Sequence, residues 1–323
     1  MADKQALNAT FFAFKKRERS GVLLGASVTY ALIMIVACGA FVALNWQAAI
    51  DYMSWITTMT QAGAQPNPND PFAGVMPPQS VVNLGASYFL FLIVIYLLLA
   101  AYEAACLRWM IRGETKGLFG LALDADTWRV YFTYWIWFFL LMAMYLVVGM
   151  VILGTVAGAA VGAQGNPDAL GAMGPVVFLL ALAVIVLVVY FGVRFAPAAA
   201  TSVAKRRFAF FDAWTVTKGR FWALLGSFVL LWLMYIVGVI ILSTIASFAM
   251  VGGMMSQAQT GAEATTPEQA FAIFASPSVW IPLAIMYGLM IVGAFVFYVA
   301  LFGVNARAAV AALEEGKIAA AQA

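Results

Sequence analysis

The sequence predicts an all-α fold, a polytopic membrane helical bundle of six transmembrane helices, and three observations carry that prediction. The 323 residues are 65% hydrophobic and only 10% charged, whereas a soluble domain is about 25% charged, and the mean hydropathy is +0.96. Six stretches reach the roughly 20 apolar residues that cross about 30 Å of hydrocarbon as a helix with every backbone polar group satisfied internally. All 17 Lys and Arg residues fall on one side of the topology those stretches define.

The first stretch covers residues 22–46. A basic segment precedes it, as in a secretory signal, but the run exceeds the 7–15 apolar residues of such a signal. Ile35-Val36-Ala37-Cys38 has the pattern of a lipoprotein cleavage box, yet residues 39–44 stay apolar, so Cys38 reads as an ordinary span residue. It lies about 24 Å into its span, while Cys106 sits at the basic end of the next, so no disulfide joins them. Residues 47–80 hold Pro66, Pro68, Pro71, Pro77 and Pro78 and predict an irregular connection. The second span is 84–107.

The third span, 130–158, follows Asp124 and Asp126, which are placed to cap it. Near its outer end Gly154, Gly158 and Gly162 recur every four residues and let another helix approach closely, within the fold or in a partner. The fourth span, 175–196, ends at Arg194, and the fifth, 221–250, carries Ser243 and Ser247 as a similar small-residue face. Residues 252–278 predict a short helix over 267–274, with Thr265 or Thr266 as its cap. The sixth span is 279–305. The whole reads as a single membrane domain, with no separate soluble one.

Orientation follows from the basic residues, which gather on cytoplasmic segments. They are Lys4, Lys15, Lys16, Arg17 and Arg19, then Arg108, Arg112, Lys116 and Arg129, then Arg194, Lys205, Arg206, Arg207, Lys218 and Arg220, and lastly Arg307 and Lys317. Both termini are therefore expected in the cytoplasm of a bacterial cell, with the chain in the inner membrane. Seventeen basic residues against nine acidic ones give that face a net +8, and the opposite loops carry −5. Anionic inner-leaflet lipid is the expected contact. Nucleic acid is not, because the basic residues flank spans instead of forming a soluble patch.

On the basic side two amphipathic segments recur. Leu7, Phe11 and Phe14 share a helical face beside Lys15, Lys16 and Arg17, and Phe208, Phe211 and Trp214 do so behind Lys205, Arg206 and Arg207. Both predict interfacial helices that anchor the chain, or that sense lipid or dock a partner. Short matches suggest three helical hairpin repeats: Leu23-Leu24-Gly25 with Leu224-Leu225-Gly226, Met144-Tyr145-Leu146-Val147 with Met234-Tyr235-Ile236-Val237, and Phe191-Gly192-Val193-Arg194 with Phe302-Gly303-Val304-Asn305. The junction Arg194, Pro197, Ala213-Trp214, Thr217-Lys218-Gly219-Arg220-Phe221-Trp222 and Leu224-Leu225-Gly226 resembles the membrane domain associated with some bacterial glycerophosphodiester phosphodiesterases and related six-span families. The resemblance implies a membrane domain with a cytoplasmic basic junction. It does not carry phosphodiesterase activity, since no soluble catalytic domain follows the last span.

The chain contains no histidine, which removes the usual base, shuttle and zinc ligand. The carboxylates form no catalytic pair, and no Gly-rich phosphate loop or metal-spaced Cys cluster is present. Neither a cofactor nor a metal is expected. Glu103 and Arg194 are the ionisable residues inside spans, each about 28 Å from the start of its span, and such groups are paired or functional. They form an ion pair, or Arg194 holds a lipid phosphate with its planar fork, or both extend to the headgroups. Asn305 completes a polar ring with them or caps its helix before Arg307. Tyr96, Tyr145 and Tyr235 lie near span centres and should turn their hydroxyls inward. These features fit a noncatalytic scaffold or accessory subunit that contacts anionic lipid or a membrane protein partner. A lipid or amphiphile transporter is the alternative.

Overall fold

The computed structural model describes residues 8–15, 21–62, 77–162, 174–259 and 277–319. Among them the regular elements are helical, apart from one bridge between Leu118 and Leu121. A 3-10 turn, Phe12–Phe14, precedes α1 (Gly21–Leu44), α2 (Trp46–Ala62), α3 (Gln79–Arg112), α4 (Ala125–Gly162) and α5 (Gly174–Phe195). Then come α6 (Ala198–Ala204), α7 (Ala213–Thr217), α8 (Phe221–Gln259) and α9 (Pro277–Glu314). Six helical stretches, α1, α3, α4, α5 running on into α6, α8 and α9, are long and apolar enough to cross a membrane. The chain is an all-α, multi-pass membrane protein.

The helices outrun the predicted spans. Hydropathy marks only the part that sits in hydrocarbon, while Ala, Leu, Arg and Gln keep the backbone helical beyond it. Thus α3 begins at Gln79 and α9 continues to Glu314. The connection predicted as irregular over 47–80 is helical through Ala62. Its breakers begin only at Pro66, and Asn45 interrupts the helix without ending it: its Nδ2 donates to the Phe41 carbonyl at 2.9 Å, and Ala49 N–H donates to the Asn45 carbonyl at 3.0 Å. Likewise α8 takes up residues 252–259 of the third connection. The helix predicted over 267–274 lies outside the described residues.

Among the described residues of the two predicted interfacial segments, the first, of which Leu7 and residues 16–20 lie outside them, holds a three-residue 3-10 turn, and the second holds the five-residue α7. Between the fourth span and α7 lies α6, buried along its whole length. Alanine explains it: Ala198, Ala199 and Ala200 let α6 pack tightly, and the chain then leaves the helix at Arg206, whose φ is +51°.

The chain divides into two compact units. Unit 1 comprises Met1–Glu18, Met110–Gly113 and Ala143–Ala323, and unit 2 comprises Arg19–Trp109 and Glu114–Met142. In unit 1, α8 and α9 pair along their length around Leu224, Leu231, Phe297, Ala300 and Val304. The 3-10 turn lies on α9, where Gly303 makes room for it: a Cβ there would come within 2.7 Å of the Ala13 nitrogen. A Gly316 C-cap closes α9, with φ +66°, Lys317 N–H donating to the Ala312 carbonyl at 2.9 Å and Gly316 N–H to that of Leu313 at 3.0 Å. That turn directs Ile318 back into the core.

In unit 2, the basic end of α3 is a small-residue core of Ala100, Ala101, Ala104 and Ala105, all buried. Buried alanines recur in unit 1 at 198–200 and again at Ala308, Ala309, Ala311 and Ala312. Each cluster sits where a helical stretch reaches its basic end.

Candidate functional site

In unit 2 three helices bring polar side chains to one depth. Ser27 and Tyr30 stand six and nine residues into α1, Glu103 nine residues before the end of α3, and Tyr134 nine residues into α4, about 9–14 Å from the basic ends at 1.5 Å per residue. Ser27 Oγ donates to the Leu23 carbonyl at 2.7 Å, so the Tyr102 hydroxyl is the donor in its own 2.7 Å bond to Ser27. Tyr30 stacks on Tyr102 with ring centroids 4.7 Å apart. On the next residue of α3, the buried Glu103 accepts a hydrogen bond from the Tyr134 hydroxyl. Removing that donor leaves a buried carboxyl without its partner, and such a loss costs about 1–3 kcal/mol. Tyr134→Phe should therefore lower the unfolding midpoint, whereas Glu103→Gln, which keeps an acceptor oxygen, should lower it less. Equal midpoints for Tyr134→Phe and the parent would remove this bond from the account.

At the end of the same helix Arg108 is fully buried. Its guanidinium donates to Asp124 Oδ1 and, at 2.9 Å, to the Gly120 carbonyl. Asp124 Oδ1 also accepts the Thr127 and Asp126 backbone N–H groups, both at 3.2 Å, which makes it the cap of α4 that the sequence predicted. Lys116 stands 3.7 Å from the other carboxylate oxygen. Asp126 pairs with Arg129 at 2.5 Å. Gly117 must be glycine, because its φ is +70° and a Cβ would strike the Leu121 carbonyl.

In unit 1 Arg194 sits in an aromatic box. Its Cζ lies 4.8 Å from the Trp214 ring, 5.4 Å from Tyr190 and 5.6 Å from Phe221, an arrangement worth about 0.5–2 kcal/mol per ring. Thr217 Oγ1 is 3.5 Å from a terminal nitrogen, and the buried Nε has no partner among the described residues. Glu103 and Arg194 thus belong to different units, and each has its contacts within its own. Asn305 lies in the interior of α9, so the expected cap is corrected: the helix runs on for nine residues because the alanines after it sustain it. Its Oδ1 is buried and has no partner among the described residues.

The basic segment is tied down by its own acids. Lys205 Nζ is 2.6 Å and Arg207 Nη2 3.4 Å from Asp212 Oδ2. Arg220 pairs with Glu315, which also meets Lys317 at 2.9 Å, and Lys317 Nζ donates to the Lys218 carbonyl at 3.3 Å. Arg206 lies in the same turn, and Lys15 is exposed with its Nζ 5.8 Å from the Phe12 ring. Lys16 and Arg17 lie outside the described residues. The Lys317 bond, with the Arg220 and Lys317 charges, holds the Glu315 carboxyl below the ordinary glutamate value of 4.5. Its contribution is complete above that value and is lost as pH falls through the lowered one. Acidification should loosen the tail after α9, read as faster proteolysis there, and Glu315→Gln should erase the pH dependence. The effect is modest and salt-sensitive, because the pair is solvated.

Other predicted positions have simple surroundings. A Cβ on Gly154 or Gly158 would meet no atom of the described residues within 4 Å, and nothing is described of the surroundings of Gly162. Ser243 and Ser247 bond carbonyls of their own helix at 3.0 and 2.7 Å. Tyr96 packs edge-on against Trp135 and Tyr235 stacks on Phe297. Tyr145, expected inside, is exposed along with Leu146 and Val147, since this part of α4 presents a continuous apolar surface. Cys38 is exposed and Cys106 buried, both free. Among the described residues no group of three or more metal-ligating side chains occurs.

The sequence reading did not single out Tyr102, Tyr134, Ser27 or Arg108 as partners. The available signal was the density of Ala and polar residues around 100–108, which breaks an otherwise apolar span.

Fold and sites together define a multi-pass membrane protein whose polar chemistry gathers at the basic ends of its helices. Compared with protein-family models, curated proteins and solved structures, the chain matches none.

Proposed function

We propose that the chain is a noncatalytic protein of a bacterial inner membrane, a scaffold or accessory subunit that engages anionic lipid or a partner membrane complex at its cytoplasmic, basic face. The observation that supports this reading is the exposed aromatic and basic segment in unit 1. Phe208, Phe211 and Trp214 are all exposed beside Lys205, Arg206 and Arg207, and Trp222 is 79% exposed beside Lys218 and Arg220. Aromatic rings at headgroup level with cations next to them suit the interface of an anionic leaflet. Native mass spectrometry of the protein released gently from its own membrane tests the proposal. A stoichiometric protein partner or an enriched anionic lipid is the expected result. A chain released with neither overturns it.

A lipid or amphiphile transporter is the second reading, favoured by an apolar groove in unit 1 bounded by α8, α9 and the Phe11 and Phe14 rings. Flip activity in reconstituted vesicles would establish it over the scaffold.

A further inference from the structure

We infer that the groove between α8 and α9 binds one acyl chain of an anionic phospholipid, with the headgroup phosphate at Lys15. The inference deepens the proposal that the basic face engages anionic lipid and rests on it.

The shape comes first. The groove runs from Leu231 to Leu242 on α8 and from Ala300 back to Met290 on α9, about 16 Å along the helices at 1.5 Å per residue. Its volume is about 290 Å³. A groove of this length, apolar and open along one side, suits an extended hydrocarbon chain. The lining is apolar throughout apart from the Tyr235 hydroxyl, and the groove lies within the apolar stretches of α8 and α9 that are long enough to span a membrane.

The floor supplies the second argument. Gly238 and Gly293 both line the groove, and glycine in a helix interior costs about 1 kcal/mol relative to alanine. Packing does not call for either, since a Cβ at each would meet no atom within 4 Å. What their small size preserves is the open volume.

Charge complementarity then names the lipid. Phe11 and Phe14 close the groove at its basic end, and Lys15 follows directly. Among the described residues its ammonium faces only the Phe12 ring, at 5.8 Å, which leaves its donors for a phosphate. Arg307 approaches the same ring at 5.9 Å and adds positive potential there, although Glu314 pairs with it at 2.9 Å. A chain entering beneath Phe14 places its headgroup at this end.

The test uses the full-length protein in vesicles doped with phosphatidylglycerol carrying a diazirine on one acyl chain, or with the matching phosphatidylcholine probe. Photolabel should concentrate on 231–242 and 290–300, more from the phosphatidylglycerol. Gly238→Leu and Gly293→Leu should each reduce it several-fold, and Lys15→Ala should abolish the headgroup preference. Phe11→Ala with Phe14→Ala removes bulk only from an exposed turn, so it keeps the test decisive if a leucine variant fails to fold; it too should weaken labelling. Label spread evenly along both helices, indifferent to every variant, or equal from both probes overturns the inference. Gly293→Cys forming a disulfide-linked dimer would assign the groove to a second copy and overturn it as well. If anionic lipid still co-purifies while the groove stays unlabelled, the acyl site fails and the broader reading stands; if neither anionic lipid nor a protein partner co-purifies, both fail.

Discussion

Arg108→Met is expected to cost roughly 3–5 kcal/mol of stability, the range found when one partner of a buried ion pair is removed. Arg108 is fully buried, and its guanidinium holds both the Asp124 carboxylate and the Gly120 carbonyl. Loss of the arginine strands two acceptors, one inside the 113–124 turn and one at its end. Asp124 retains some solvent contact, with a side chain 24% exposed, which places the effect toward the lower end of that range. Asp124→Ala removes the same pair and also the cap of α4, worth about 1 kcal/mol by itself. The double variant should be more stable than the sum of the singles predicts, because neither charge is left buried alone. Guanidinium or heat unfolding in detergent, followed by size exclusion, measures all three. A melting midpoint unchanged by Arg108→Met would rule out this pair as the anchor of the turn.

Gly303→Leu is expected to expel the N-terminal segment from α9. A Cβ at this position would lie 2.7 Å from both the Ala13 nitrogen and its Cβ, and backbone on the far side cannot yield as a flexible side chain does. Overpacking of this kind costs about 1–3 kcal/mol, comparable with the roughly 1.5–3 kcal/mol that burial of the Phe12 side chain contributes to docking the turn. The readout is local: in an Ala13→Cys background, Gly303→Leu should raise the rate of maleimide modification at least tenfold while α8 and α9 stay paired. Unchanged reactivity would mean that the turn does not depend on this contact. Gly192, the matching position of the proposed repeat, has no atom within 4 Å of a built Cβ, so Gly192→Leu serves as the tolerant control.

The spans were legible because crossing hydrocarbon demands a long apolar run, and no other soluble or membrane element of this composition satisfies it. Helix ends were less legible. Asn305 looked like a cap because the apolar run stops there, yet the helix is carried on by Ala306, Ala308 and Ala309, whose propensity is independent of hydropathy. The amphipathic segments were read from spacing alone, and spacing placed Phe11 with Phe14 and Phe208 with Phe211 correctly on exposed faces. It could not say that Phe12 and Phe210 between them would turn inward. Glu103 was found as a costly charge in a span, but its partner was sought among cations. Tyr134 carries no charge, and nothing in a tyrosine's sequence neighbourhood reports that its hydroxyl points at a carboxylate.

The adjacency of Tyr102 and Glu103 has a mechanical consequence. Consecutive helical residues point about 100° apart, and these two reach α1 through Ser27 and α4 through Tyr134. Apolar surfaces in lipid slide over one another with little preference, since tails solvate them as well as neighbouring helices do. Two hydroxyl bonds from adjacent residues of α3 to two different helices therefore act as a key in a lock. A slip of one residue, about 1.5 Å, or a rotation by one residue position would break both at once, so α3 is held at a single height and a single azimuth between its neighbours.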